Sequence, residues 1–263
     1  MNRIILCTNP KMNLNIQETI DYTKKLKDFV DTNLEEWMNI DVCIMPDYLA
    51  FHGVSMVVKD SLLKISAQNC FYEDKGAYTG EVSPKVLKEN GCSYVMLGHP
   101  ERIVYGKEDN EMINKKIKAV LKNQMAPILL VIEREKKKEM SQTVDAILED
   151  LIPYLDGVSA EDMKNFVFIY EPAWAIGTGI AAPVDHTYEV IKGLREAIGA
   201  KYGREIGEEV LFQYGGGVSI ERTKEILNLD NIDGVGMGTA GLNIDFFIQA
   251  IQVAIDLRKS QKV

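Results

Sequence analysis

The stretch FVFIYEPAWAIGTG, residues 166–179, joins a continuous apolar run to a carboxylate and then to a glycine-rich turn. An unbroken apolar run of this length is typical of a strand that is covered on both faces, as in a parallel sheet. The turn leads to an apolar stripe at helical spacing that contains Val190, Ile191 and Leu194. The segment therefore predicts one strand followed by one helix, with Asp185 as the candidate cap of that helix.

The same alternation recurs along the whole chain. The other strand candidates are RIILCTN (3–9), DVCIMP (41–46), LKISAQN (63–69), SYVMLGH (93–99), APILLVIE (126–133), EVLFQYG (209–215) and DGVGMG (233–238). Helical signals between them include a capping box at Asn15 and Glu18 and a stripe at Ile113, Ile117, Val120 and Leu121. Eight strands that alternate with helices predict an α/β fold, a (β/α)8 barrel of eight parallel strands with outer helices. An open, doubly wound sheet is the alternative.

The length and charge of the chain narrow its class. A length of 263 residues fits a single barrel domain spanning 1–263, and no Ser-, Pro- or Gly-rich linker interrupts it. The run KKKE at 136–139 is interpreted as a solvated helix face. The formal net charge of −9 argues against nucleic acid and anionic membranes as partners. A small phosphate ligand remains compatible, because it needs only a few backbone donors and one lysine.

Cysteine usage and the N-terminus indicate the compartment. The four cysteines are far apart and form no CxxC pair, which favours reduced core thiols over a metal site: Cys7, Cys43, Cys70 and Cys92. No segment approaches the roughly 18 uninterrupted apolar residues of a membrane helix. The first residues lack the apolar region and cleavage site of a signal peptide. We therefore expect a cytoplasmic protein without a metal ion or cofactor.

In a parallel barrel, reactive side chains collect just after the carboxyl ends of the strands. The polar residues at these positions are Asn9, Lys11, His99, Glu101 and Glu171. His99 is either a hydrogen-bonded histidine of the barrel rim or, beside Glu101, an electrophile or proton shuttle. Lys11 is either solvated or an anchor for a phosphate or enediolate oxygen.

Glu171 taken alone could be the structural partner of an arginine. The segment that follows it favours a chemical role, because residues 172–179 have the composition of a hinged lid. Pro172 stands at one end and glycines at the other, and Trp174 and Ile176 form an apolar body between them. A glutamate beneath a dry lid has its charged form disfavoured, which makes it a stronger base.

Two glycine-rich turns follow the last two strands, YGGG at 214–217 and GVGMGTAG at 234–241. Each could be an ordinary tight turn. Their adjacent positions favour phosphate binding, since barrels often hold phosphate in the loops after strands 7 and 8 through exposed backbone N–H groups.

Together these motifs resemble those of triosephosphate isomerase, over essentially the whole chain. The matching segments are NPKMN (9–13), SAQN (66–69), GAYTGEVS (76–83), GHPER (98–102), YEPAWAIGTG (170–179), YGGGV (214–218) and IDGVGMGTA (232–240). The resemblance implies a TIM barrel enzyme of glycolysis and gluconeogenesis that interconverts dihydroxyacetone phosphate and glyceraldehyde 3-phosphate without a cofactor.

The resemblance also implies residue roles. Glu171 is the base, His99 a neutral electrophile, Lys11 a positive charge on the substrate, Asn9 a polar contact and Glu101 a supporting carboxylate. Backbone donors to phosphate are expected at Gly177, Gly216, Gly217, Gly238 and Thr239. The lid comprises Pro172, Trp174, Ile176 and Thr178, and Tyr214 holds it closed near Ala182. The family is homodimeric, so Thr79, Glu81 and Arg102 are interface candidates, with Glu81 a possible partner of Arg102.

Several positions depart from the usual family pattern. Where the family usually has serine, this chain has Pro100, Gly217 and Gly241, and where the family has glycine it has Thr239. Ile180 stands in place of the usual lysine of the lid, and Leu130 in place of the usual cysteine of strand 5. We expect Gly217 and Gly241 to leave extra room and Thr239 to alter the grip on phosphate. The alternatives are therefore a related isomerase of another small phosphosugar, such as a tetrose phosphate, and a non-catalytic phosphosugar-binding relative. A Schiff-base aldolase would need a lysine at the end of strand 5 or 6, and neither strand has one.

Overall fold

The computed structural model describes residues 3–137, 139–175 and 181–261. Within these residues eight parallel strands close into a barrel in chain order, because β8 pairs with β1 as well as with β7. The strands β1 to β8 are Ile4–Thr8, Ile40–Ile44, Lys64–Ala67, Cys92–Leu97, Ala126–Glu133, Val167–Pro172, Leu211–Gly215 and Gly234–Met237. The predicted (β/α)8 barrel is confirmed. The open sheet is wrong, since an open sheet has two unpaired edges.

Each strand divides its side chains between two cores. In β1, Ile5 and Cys7 point into the barrel, whereas Ile4 and Leu6 pack towards the helices. In β6, Val167 and Ile169 point inwards and the intervening Phe168 points outwards. Both faces are thus apolar and covered, which explains why the strands read as unbroken apolar runs.

The helices surround this barrel. The α-helices α1 to α11 are Ile16–Asn33, Tyr48–Val58, Pro84–Glu89, Pro100–Tyr105, Asn110–Lys122, Met140–Tyr154, Ala160–Met163, Val184–Tyr202, Arg204–Glu209, Ile220–Leu227 and Ile244–Gln261. Short 3₁₀ helices lie at Glu36–Met38, Ala173–Ala175 and Thr239–Leu242. The capping box at Asn15 and Glu18 is confirmed, and the stripe of α5 buries Ile113, Ile117 and Val120 completely.

Three local predictions were wrong. Asp185 is not a cap, because α8 already begins at Val184, after Pro183, and Asp185 lies within its first turn. Residues 136 and 137 precede α6 in the loop after β5, so this part of the basic run is not on a helix. Strand β7 starts at Leu211 rather than at residue 209, since Glu209 ends α9.

The four cysteines are buried free thiols. Cys7 and Cys43 stand side by side on β1 and β2, in register. Among the residues that the structure describes, no helix combines the length and the apolarity needed to cross a membrane.

Candidate active site

A cavity of about 680 Å³ opens at the carboxyl ends of the strands. Strand alternation aims specific side chains into it. Because Val167 and Ile169 point into the barrel, Glu171 faces the same way at the end of β6. Asn9 follows Ile5 and Cys7 in the same manner on β1. The cavity is lined by most of the predicted site: Asn9, Lys11, His99, Glu171, Gly216, Gly217, Gly238 and Thr239.

Glu171 occupies an electrostatic environment that suits a base. Its Oε2 lies 3.8 Å from the point that a Cβ would occupy at Gly215, so the carboxylate stands against the end of β7. Burial raises the pKa of Glu171, Lys11 lowers it and Glu101 raises it again, with burial the largest effect. The net upward direction means that the carboxylate holds a proton more strongly than an exposed glutamate does.

His99 is held in one tautomer by the helix that follows it. Pro100 begins α4, at the position where a missing backbone N–H leaves no helical hydrogen bond unmade. The next N–H, that of Glu101, donates to His99 Nδ1 at 3.2 Å. An accepting nitrogen carries no proton, so in the neutral ring the proton lies on Nε2. Burial and then Lys11 lower the pKa of His99 to about 4, against Glu101, which raises it.

Lys11 links the ends of β1, β4 and β8. Its backbone adopts a positive φ of 52° and its N–H donates to Asn9 Oδ1 at 2.9 Å. Its Nζ donates to Glu101 Oε1 at 2.6 Å, and its Cε lies 3.9 Å from the point that a Cβ would occupy at Gly238. Because both side chains of this ion pair are more than a third exposed, the pair adds little stability. The ammonium of Lys11 can therefore leave Glu101 for another anion at a small cost in free energy.

The turns after β7 and β8 are more open. A Cβ at Gly217 would find no atom within 4 Å, so the predicted extra room is present there. At Gly216, φ is 146° and a Cβ would come within 3.2 Å of the Tyr214 hydroxyl, so this position requires glycine. Thr239 begins the 3₁₀ helix Thr239–Leu242 without a positive φ, so its β-branched side chain strains no backbone there.

The extra room expected at Gly241 does not exist. A Cβ at this position would collide with the hydroxyl and Cβ of Thr8, which fill the space from β1. The Gly241 carbonyl accepts hydrogen bonds from the Tyr22 hydroxyl at 2.6 Å and from Thr8 Oγ1 at 3.3 Å. Thr8 therefore replaces the volume that a serine side chain would supply.

Residues 4–254 match the family model described as triosephosphate isomerase. The chain belongs to the triosephosphate isomerase family. It is 38% identical over 248 residues to the triosephosphate isomerase of Alkaliphilus metalliredigens, covering 94% of this chain and 98% of the relative. It is 36% identical over 254 residues to that of Chloroherpeton thalassium, covering 97% and 100%. The crystal structure of the Bartonella henselae enzyme has a TM-score of 0.81 at 24% identity, covering 95% of this chain and 98% of the other, and supports the fold.

The lid that the family resemblance implies is described only at its base. Ile176, Gly177 and Thr178 lie outside the described residues, as does Ile180. Pro172 is the buried last residue of β6. Trp174 packs edge-on against His186, with 5.8 Å between the ring centroids. Tyr214 is fully buried; burial raises the pKa of its hydroxyl, while Arg222 and the Ala182 backbone lower it, which places that hydroxyl beside both groups.

The interface candidates of the family pattern lie away from this cavity. Thr79 and Glu81 are exposed. The Nε of Arg102 donates to Glu108 Oε1 at 2.7 Å, and the buried Lys116 donates to the same oxygen at 2.6 Å. Within one chain, Arg102 is thus paired with Glu108.

Two groups in or beside the site escaped the sequence analysis. Glu133, at the end of β5, accepts from the Tyr170 hydroxyl and lies 3.0 Å from His186 Nε2. The position of Glu133 at a strand end was a signal for a site residue in the sequence. Its side chain, however, points away from the barrel axis and lies under α8. Arg222 lines the cavity, and the available signal was its place in the first turn of the helix after YGGG. In the described parts of the chain, no three His, Cys, Asp or Glu side chains are grouped as a metal site.

Proposed function

We propose that this family member interconverts dihydroxyacetone phosphate and glyceraldehyde 3-phosphate, with Glu171 moving the proton between adjacent carbons through an enediolate. The observation that carries the proposal is the convergence of three groups on one cavity: Glu171 with a raised pKa, His99 as a neutral N–H donor, and Lys11. A pure binding site needs no base.

Glu171 is the base in this proposal. It takes the proton from the carbon next to the substrate carbonyl and returns it to the neighbouring carbon. The raised pKa brings the carboxylate closer to the working pH, which increases its strength as a proton acceptor.

His99 and Lys11 stabilise the charge that forms on oxygen. The Nε2–H of His99 donates a hydrogen bond to the carbonyl oxygen as it becomes an enediolate oxygen. A neutral imidazole can do this without a change in its own charge. Lys11 supplies a positive charge on the same side, with Glu101 holding its ammonium and Asn9 holding its backbone.

The phosphate group occupies the side of the cavity formed by the turns after β7 and β8. Backbone N–H groups at Gly216, Gly217, Gly238 and Thr239 are the proposed donors, together with Gly177 of the lid. Glycine permits the close approach of backbone to an anion that this mode of binding requires.

Glu171→Gln tests the proposal, because it preserves the shape of the side chain and removes the base. We expect kcat with either triose phosphate to fall about 10²- to 10⁴-fold. Since burial raises the pKa of Glu171, its charged form costs stability at pH 7, so the variant should unfold no more easily than the native chain. Glu196→Gln, on the exposed face of α8, is the matched control and should retain full activity. An unchanged kcat in Glu171→Gln would refute the role of Glu171.

A second phosphosugar is the alternative that one observation favours. The open space at Gly217 could admit a longer sugar beside the phosphate. Comparing kcat/KM for triose and tetrose phosphates decides between the two substrates. A non-catalytic phosphosugar binder would bind both and turn over neither.

We also propose a cytoplasmic homodimer of single-domain subunits, 1–263. Large apolar side chains are exposed at Met12 (95%), Leu49 (81%) and Tyr105 (82%), and Tyr78, next to the interface candidate Thr79, is 42% exposed. The proposal requires that side chains of this kind be buried against the second subunit. Sedimentation of the native chain and of Thr79→Arg tests this, and a native monomer at assay concentrations would refute it. The four free cysteines suit a reducing compartment.

A further inference from the structure

Arg222 is a cation whose side chain borders the cavity without a role in the mechanism above. It belongs to the first turn of α10, where its backbone N–H donates to the hydroxyl of the capping residue Ser219 at 3.0 Å. This cap fixes the start of the helix and hence the direction of the side chain. The side chain is only 12% exposed, and its guanidinium carbon lies 5.9 Å from the centre of the Tyr214 ring.

The guanidinium has donor capacity to spare. Its Nη1 donates to Glu225 Oε2 at 3.1 Å, and Glu225 is itself 57% exposed. Its Nε is buried and, among the described residues, has no hydrogen-bond partner. A buried N–H without a partner costs free energy. A guanidinium carries five N–H donors in a planar fork that matches the oxygens of phosphate.

The surroundings of Arg222 are those of an anion site. The same cavity is lined by the open glycine Gly217 and by Gly238 and Thr239. A Cβ at Gly217 would meet nothing within 4 Å, so the cavity is open at this position. Lys11 lines the same cavity, and its Cε lies 3.9 Å from the point that a Cβ would occupy at Gly238. Two cations, Lys11 and Arg222, thus border the cavity that an anion would enter.

We propose that Arg222 is a specificity-determining residue that binds the phosphate dianion of the substrate, in place of the hydroxyl absent at Gly217. This rests on the proposed phosphosugar function and adds to it a charged side-chain contact at the phosphate end. The contact favours substrates with a full dianion over uncharged sugars. Glu225 holds the guanidinium in place between turnovers, and its exposure allows the guanidinium to be shared with the ligand at little cost.

The test compares substrates with and without phosphate. In Arg222→Gln we expect KM for glyceraldehyde 3-phosphate to rise about 10- to 100-fold, the range for a hydrogen bond to a charged group. The kcat/KM for unphosphorylated glyceraldehyde should not change, because that substrate never meets the guanidinium. An equal loss for both substrates would mean that Arg222 acts only through the fold, and would overturn the proposal. So would an unchanged KM.

Lys224→Gln is the matched control. It removes one positive charge from the exposed side of the same helix, so it should leave KM for the triose phosphate unchanged. If KM rose as much in Lys224→Gln as in Arg222→Gln, the effect would come from the overall charge of the protein rather than from a contact of Arg222. That result would overturn the proposal. Arg222→Lys keeps the charge without the fork and should show an intermediate KM.

Calorimetric titration of the native chain and Arg222→Gln with inorganic phosphate separates this proposal from the proposed function. Weaker phosphate binding in the variant supports the role of Arg222 even if the native chain does not isomerise triose phosphates. If the native chain and Arg222→Gln both isomerise triose phosphates and bind inorganic phosphate equally well, the role of Arg222 is overturned and the isomerase function is not affected.

Discussion

The two halves of the cavity are built by different means. In the acid–base half, strand alternation places Glu171, the start of α4 places His99, and the turn after β1 places Lys11. The phosphate half, which contains Gly217, Arg222 and Thr239, lies on turns and on the first turn of α10. A residue at a strand end cannot move without shifting the barrel, whereas a turn accepts substitutions that change size and charge. In the proposed function, the first half carries out the proton transfer and the second half selects the substrate.

His99→Gln is the variant with the largest expected effect among those that probe this contrast. A glutamine amide can still donate, but it cannot place the donor where Nε2–H lies, so kcat should fall about 10²- to 10³-fold. KM should change little. His52→Gln, on the exposed face of α2, is the control and should keep native kcat. If KM rose and kcat stayed constant, His99 would belong to the phosphate half instead.

The pH dependence of kcat/KM provides the next measurement. Glu171 must be ionised to act, and its raised pKa places the acid limb above the usual range of glutamate, near 4.3. Below that pKa, kcat/KM should fall tenfold per pH unit. His99, with a pKa of about 4, remains neutral above pH 5 and should add no second limb there. In Glu171→Gln the contribution of Glu171 to the acid limb should vanish, and only the ionisation of the substrate phosphate, with a second pKa of about 6, should remain. A further limb that persisted would belong to another group of the protein.

Residues near each other in the chain were easier to predict than residues brought together by packing. Apolar runs identified all eight strands, and Glu171 and His99 followed from their places at strand ends. The pairing of Glu133 with His186 was missed because 53 residues separate them and the packing of α8 joins them. The role of Thr8 was missed for the same reason, since Gly241 is 233 residues away. The direction of Arg222 depends on where the cap at Ser219 starts α10.

Gly241→Ser tests whether Thr8 has taken over the space of a side chain. The new Cβ would collide with Thr8, and overpacking of this kind costs about 1–3 kcal/mol in the free energy of unfolding. Urea denaturation measures the loss. Thr8→Ala in the same chain should restore part of it, so that the two substitutions are not additive. Full stability in the single variant would mean that the turn after β8 yields easily.

Gly217→Ser has the smallest expected effect and the most direct bearing on substrate choice. The open space accepts the side chain without a collision, and its hydroxyl adds one neutral donor to the phosphate half. A hydrogen bond of this kind contributes about 0.5–1.5 kcal/mol, so KM for a triose phosphate should fall about 2- to 10-fold at constant kcat. Gly217→Ala separates the effect of the Cβ from that of the hydroxyl and should leave KM nearly unchanged. If Gly217→Ser and Gly217→Ala both raise KM for a tetrose phosphate but not for a triose phosphate, the open space at Gly217 accommodates the longer sugar. The added Cβ would then hinder the tetrose phosphate alone.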